Sequence, residues 1–299
     1  MQKIVDAGHL KNGMAVEIEL FQPDGTACSR DFLRGFFASF VLNNKKPGAD
    51  LGYWLADLHA RFSGEYRNEC TDYFYSARVD GVFAARLWFG FSRRSGLGNF
   101  GHVCTEPEFR KQGILNLLMK RFVRDFAVSG AKMVGCEAGN PIAVRSYVSH
   151  GFQLPYGGES GPMFYGGDFL DWAEDAFSGS GVIKAIRQGT AGDQFDCDKF
   201  LSLSPAVHEN PECRLLLLPD FRTALLEQHA GSTVVCVAEN DRGIPVGFAF
   251  IRRCGPVSIM DHLIHPGWAG ETDRLLAETE AVFAKKFPDA AAPRLIRKL

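Results

Sequence analysis

Apolar and polar positions in the first half of the chain follow two periods that change in a definite order. Residues 14–21 alternate as a strand, and 29–43, opened by Ser29 as a cap, bring Phe32, Leu33, Phe36, Phe37 and Phe40 to one face of an amphipathic helix. A second helix is expected at 52–62. The segments 72–79 and 82–92, joined by the turn Asp80-Gly81, predict a hairpin, and 99–105 extends it by a third antiparallel strand. Past Glu106-Pro107 the period lengthens. Ile114, Leu117, Leu118, Phe122 and Phe126 share one face while Asn116, Lys120, Arg121, Arg124 and Asp125 take the other, so a helix is expected from near Arg110. A strand at 132–138, a short helix and a strand at 152–154 complete this half. Asn140 caps that short helix, Pro141 suits its first position and Gly151 its left-handed end.

Glycine is dense from 155 to 181, around a short helix at 168–177, and the domain junction is placed there. Beyond it, 182–188 reads as a strand, 192–203 and 221–229 as helices, 233–239, 246–252 and 257–265 as three antiparallel strands, and 268–287 as a long helix. The second half thus repeats the order of the first. With 299 residues the chain is long enough for two ordinary cores. It is read as two domains, 1–168 and 182–299, of the α/β (α+β) class, each with a mixed, mainly antiparallel sheet flanked by helices.

The candidate chemistry sits where the strand at 99–105 gives way to the helix. Thr105-Glu106-Pro107-Glu108-Phe109-Arg110-Lys111-Gln112-Gly113-Ile114-Leu115 places an arginine and a glycine three apart at a strand-to-helix junction. The first amides of the helix have no acceptor within it, they carry the positive end of its dipole, and Gly113 has no side chain to hold an anion off. A pyrophosphate fits such a junction. Glu106 and Glu108 read as solvated charges flanking Pro107.

Two segments together resemble the GNAT superfamily of acyl-CoA-dependent N-acetyltransferases. Thr105, Pro107, Phe109, Arg110 and Gly113 follow its Val-x-Pro-x-Tyr/Phe-Arg-x-x-Gly pattern, and Asn140, Ala143, Tyr147, Gly151 and Phe152 follow Asn-x-x-Ala-x-x-x-Tyr-x-x-x-Gly-Phe without a gap. Leu115 departs from it, standing where the family usually has a small residue. By motif the resemblance covers 100–155, and by element order 14–168.

The resemblance implies that the strand ending at Thr105 splays from the strand at 132–138 and that pantetheine of acetyl-CoA lies in the gap. On that analogy Val103 and Thr105 pair with pantetheine, while Arg110, Lys111, Gln112, Gly113, Ile114, Leu115 and Asn116 hold the pyrophosphate. Asn140 contacts the pantetheine arm and Tyr147 sits near the thioester sulfur. A phenol keeps its proton at neutral pH and is chemically suited to protonate a departing thiolate. The acceptor amine must lose a proton, and Glu137 and His102, one on each splayed strand, are the candidate bases. Cys104 and Cys136 have no partnered His-Asp arrangement, which favours direct transfer over an acyl-enzyme. The expected reaction is N-acetylation of a primary amine of a small molecule. The alternatives are a non-catalytic acyl-CoA-binding or regulatory module, and acetylation of a protein N-terminus or lysine.

The second half carries no such motif. Setting Leu275-Leu276 under Leu117-Leu118 puts Trp268 under Arg110 and Glu271 under Gly113, and a carboxylate there repels a pyrophosphate. Residues 182–299 are therefore read as a degenerate GNAT-like domain that shapes the substrate cleft or a homodimer surface; an unrelated α/β cap is the alternative. The chain ends before any counterpart of 140–152.

Composition narrows the remaining classes. At 46% hydrophobic and 23% charged, with net charge −2, there is no basic field for nucleic acid or an anionic membrane. No segment approaches the roughly 18 apolar residues of a membrane span, the N-terminus lacks the apolar stretch of a signal peptide, and a cytoplasmic protein is expected. The eight cysteines are scattered, at neither Cys-x-x-Cys nor metal-ligand spacing, so reduced thiols and no metal are expected.

Overall fold

The computed structural model describes residues 1–44, 52–179, 181–203, 221 and 223–295. The chain divides into two compact units, Met1–Asp168 and Phe169–Leu299.

Unit 1 is a seven-stranded sheet in sequence order: β1 (Gln2–His9), β2 (Ala15–Phe21), β3 (Cys70–Val79), β4 (Val82–Ser92), β5 (Leu97–Thr105), β6 (Met133–Ala138) and β7 (Gly161–Tyr165). Every neighbouring pair is antiparallel except β5 and β6. Helices α1 (Arg30–Asn44) and α2 (Gly52–Ser63) lie between β2 and β3, α3 (Ile114–Ser129) between β5 and β6, and α4 (Pro141–Val148) between β6 and β7. Ser29 opens α1 as expected, its Oγ accepting from the Phe32 amide at 3.2 Å. Asp80 and Gly81 both take positive φ, 46° and 80°, as a two-residue hairpin turn requires.

Alternation along β3 and β4 sends successive side chains to opposite faces, and both faces are covered. Phe74 meets Phe62 of α2 at 4.0 Å between ring centroids, with Phe21, Phe32 and Phe36 around them. On the other face Phe89 meets Phe122 of α3 at 5.2 Å, and Phe100 meets it at 4.9 Å. The abundant phenylalanine is thus used in two aromatic layers. Under α2 the buried Arg61 bonds Asp57 and Asp72, each at 2.9 Å, and Trp88 Nε1 donates to the same Asp72 oxygen at 2.9 Å. Burial pushes the Asp72 carboxyl up, while the Arg61 charge and the bonds from Trp88 and Arg61 oppose it.

Unit 2 carries helix α5 (Phe169–Ala176) and a five-stranded sheet in the order β12-β11-β10-β9-β8. These strands are β8 (Ala185–Gln188), β9 (Thr233–Glu239), β10 (Pro245–Cys254), β11 (Val257–Ile264) and β12 (Pro293–Leu295). Helices α6 (Asp193–Leu201), residues 223–229 and α7 (Thr272–Lys286) follow the same order as in unit 1. Among the described residues the one parallel pair of this sheet is β11 with β12.

Three expectations are corrected. Helix α3 begins at Ile114 rather than near Arg110, because Pro107–Phe109 is a 3-10 turn and Lys111 and Gly113 both take left-handed φ, 63° and 85°. The strand expected at 152–154 is a single bridge, Gln153 to Phe164, and β7 supplies the sheet edge instead. The helix expected from Trp268 starts at Thr272, after a 3-10 segment Pro266–Glu271.

Candidate active site

Strands β5 and β6 run side by side for three residue pairs only, Leu97 with Met133, Gly98 with Val134 and Asn99 with Gly135. β5 then continues to Thr105 and β6 to Ala138 without further pairing among the described residues, while their outer edges stay bonded to β4 and β7. The sheet is therefore split at its C-terminal end. The edge of β5 at Val103 and Thr105 is not matched to β6, and an extended, amide-bearing chain can pair there as a further strand does.

A bulge turns β5 at this point. Arg86 faces Cys104 but Trp88 faces Gly101, so Leu87 stands opposite two residues, His102 and Val103, and His102 takes φ 52°. The bulge is held from below by Arg86, which is 2% exposed: its Nη1 donates to the His102 carbonyl at 2.6 Å and its Nε to Ser39 Oγ at 2.9 Å. Ser39 Oγ in turn donates to Glu106. Burial brings the Arg86 guanidinium down to about 10, against the opposing pull of Cys104 and Glu106, so it remains cationic at neutral pH. Glu106 was expected to be solvated; it is half-buried because Ser39, on the inner face of α1, reaches it. Neither Arg86 nor Ser39 carried a signal in the sequence, since each lies singly within an otherwise apolar pattern.

Beyond β5 the chain forms the expected junction, four residues later than periodicity placed it. The first intrahelical bond of α3 runs from the Leu117 amide to the Gly113 carbonyl at 3.2 Å, which leaves the amides of Ile114, Leu115 and Asn116 as the helix's first open donors. Nothing lies within 4 Å of where a Cβ on Gly113 would stand. Arg110 folds back, Nε donating to the Thr105 carbonyl at 3.0 Å, and Gln112 donates to the Glu108 carbonyl at 3.1 Å. Lys111 is exposed, and Asn116 Oδ1 lies 3.0 Å from His150 Nε2, which ties α3 to the end of α4. Leu115 packs against the core.

On the other side of the split, Asn140 caps α4 by accepting from the Ile142 amide at 2.9 Å. Two turns on, Tyr147 is 7% exposed, its ring edge-on to Phe100 of β5 at 5.2 Å and against Phe152 at 5.6 Å. Burial holds its phenol well above the usual tyrosine range, with Cys136 on β6 and Cys104 on β5 acting in the same direction. Glu137 is exposed and alternates with Cys136 and Ala138, which share a core with Tyr147, so it leaves β6 on the face opposite Tyr147. His102 also lies on that opposite face, its ring among Phe36, Phe40, Trp54 and Trp88 at 5.2–6.3 Å. The residues predicted from sequence therefore gather at one split, with the two candidate bases on one face of the sheet and the candidate acid on the other.

Unit 2 has a different residue at the corresponding helix start. Glu271 precedes the first residue of α7 and its carboxylate meets Arg274 Nη1 at 3.2 Å, while Trp268 is 1% exposed in the core. No group of three or more His, Cys, Asp and Glu able to hold a metal ion occurs among the described residues, and no helix there is long and apolar enough to cross a membrane. The described cysteines are all free thiols; Cys213 lies outside the described residues.

No protein-family model matches the sequence, and no curated protein does. Among solved structures, the chain is similar to a tandem GNAT protein from the clavulanic acid biosynthesis pathway, at 13% identity and TM-score 0.40 over 93% of this chain and 89% of that one. It is also similar to a GCN5-related N-acetyltransferase from Kribbella flavida, at 13% identity and TM-score 0.38 over 94% of this chain and 64% of that one. A third is the PaiA N-acetyltransferase from Thermoplasma acidophilum in complex with coenzyme A, at 11% identity and TM-score 0.35 over 50% of this chain and 98% of that one. At these identities and scores the three structures assign this chain no substrate and no site residue.

Proposed function

We propose that unit 1 is an N-acetyltransferase that moves the acetyl group of acetyl-CoA to a primary amine of a small molecule. The observation that carries this reading is the split between β5 and β6, with an open helix start at one end and the buried Tyr147 phenol beside it. Pantetheine pairs with the edge of β5 at Val103 and Thr105. The pyrophosphate lies on the amides of Gly113 to Asn116, with Arg110, Lys111 and Gln112 around it. Asn140, at the start of α4, contacts the pantetheine arm.

The reaction is direct attack in a ternary complex. The neutral amine adds to the thioester carbonyl, the C–S bond breaks, Tyr147 gives its proton to the leaving thiolate, and the proton shed by the new amide nitrogen restores the phenol. The proton lost by the ammonium group goes to Glu137 or His102, directly or through water. Burial keeps the Tyr147 phenol protonated at neutral pH, so the proton is present when sulfur leaves. Unit 2, with Glu271 at its helix start, is a degenerate copy without a cofactor role.

The test is release of free thiol from acetyl-CoA in the presence of a panel of small primary amines. Amine-dependent release that is lost in Tyr147→Phe supports the reading. Tight binding of acetyl-CoA with no release across the panel, and equally none with peptide N-termini, would leave a binding module in its place.

A further inference from the structure

At the end of the unit 1 sheet away from the split, a cavity of about 490 Å³ opens between the start of β1, the end of α2, the start of β3 and the end of β4. Ala85, opposite Thr105, and Arg93 are eight residues apart along β4 and just past it, which at about 3.3 Å per residue separates this cavity from the cofactor junction by about 26 Å. Lys3, Arg61, Arg67 and Arg93 line it, with Asp24 and Asp72.

The charges there are unevenly matched. The Met1 ammonium meets Asp24 at 2.7 Å, and Arg61 is held by Asp57 and Asp72. Lys3, Arg67 and Arg93 have no carboxylate partner among the described residues. Arg67 spends Nη1 on the Gly64 carbonyl at 3.3 Å and Arg93 spends Nε on the Cys70 carbonyl at 3.2 Å. Those bonds orient both guanidiniums and leave their remaining N–H groups for an acceptor. The buried Arg61–Asp72–Trp88 cluster forms a fixed floor beneath them.

We infer that this cavity is a second ligand site, for a small polyanion bearing two or more phosphate or carboxylate groups, bound by Arg67, Arg93 and Lys3. Such a ligand joins the first strand to the end of α2 and to the adjoining ends of β3 and β4, and so stabilises unit 1. This site is independent of the acetyl-CoA reading.

The test uses the full chain carrying Gly113→Glu, which removes the cofactor junction from the measurement. Inorganic pyrophosphate and citrate are titrated separately by calorimetry, with sodium chloride at matched ionic strength as the control. Saturable binding of either probe, at least tenfold weaker after Arg67→Ala with Arg93→Ala, is expected; pyrophosphate alone identifies a phosphate site and citrate alone a carboxylate site. Thermal unfolding of the doubly substituted chain checks that it is folded, and Arg67→Lys with Arg93→Lys replaces it if it is not. Absence of saturable binding above the salt control, or equal binding after both substitutions, overturns the inference.

Discussion

Gly113 and Glu271 hold the same position in their two helices: each is the residue immediately before the first helical residue, of α3 and α7 respectively. The consequences are opposite. Gly113 takes φ 85° and presents bare amides, whereas Glu271 takes φ −97° and places a carboxylate, tied to Arg274, at the positive end of the helix. One chain should therefore bind one acetyl-CoA, and calorimetric stoichiometry checks this; two per chain would contradict the assignment of unit 2.

Tyr147→Phe should leave acetyl-CoA affinity within about threefold and lower turnover by about a hundredfold, the usual size of a lost general acid. The phenol's pKa is raised by burial, so its protonated form is favoured by the fold. Its stabilising contribution is fully present below the unfolded tyrosine value of about 10 and is lost as pH rises through the higher folded value. The loss of stability as pH rises between those two values should be less steep in Tyr147→Phe. Steady-state kinetics and denaturation across pH read the two effects.

Asn140 has two roles that substitution can separate. Its side chain caps α4 through the Ile142 amide, and removal in Asn140→Ala should cost about 1 kcal/mol. Asn140→Asp keeps the cap and should restore stability in urea denaturation. It should not restore acetyl-CoA affinity, because the carboxylate offers no donor to a pantetheine amide carbonyl.

Arg61→Ala should destabilise the protein by about 3–5 kcal/mol, since it leaves Asp57 and Asp72 without their shared buried cation. Chemical denaturation measures this loss. Replacing Asp72 as well, in Arg61→Ala with Asp72→Ala, should recover part of it.

Local chemistry was legible in the sequence and long-range geometry was not. Asn140 and Gly151 announced α4, Ser29 announced α1, and Asp80-Gly81 announced the hairpin, because each acts through its own backbone neighbours. The helix start at Ile114 was misplaced because left-handed Lys111 leaves no trace in hydrophobic period. Strand β1 carries no signal in the hydrophobic pattern: it is an edge strand, largely exposed, and among the described residues it pairs with β2 alone. The bulge at His102 and the Arg86–Ser39–Glu106 chain beneath it depend on contacts 16 to 67 residues apart, which no local pattern encodes. The junction of 105–116, the split and Tyr147 followed from the family resemblance, and the faces taken by Glu137 and His102 did not.

Isothermal titration of acetyl-CoA into the wild-type chain and Gly113→Glu tests the central claim most directly. The site is open around Gly113, so a glutamate there strains a left-handed position by about 1 kcal/mol without meeting the core, and it brings a negative charge onto the pyrophosphate amides. Binding to the wild type, with loss in Gly113→Glu at unchanged fold, is the predicted result. Equal affinity in both would contradict a cofactor junction at the start of α3.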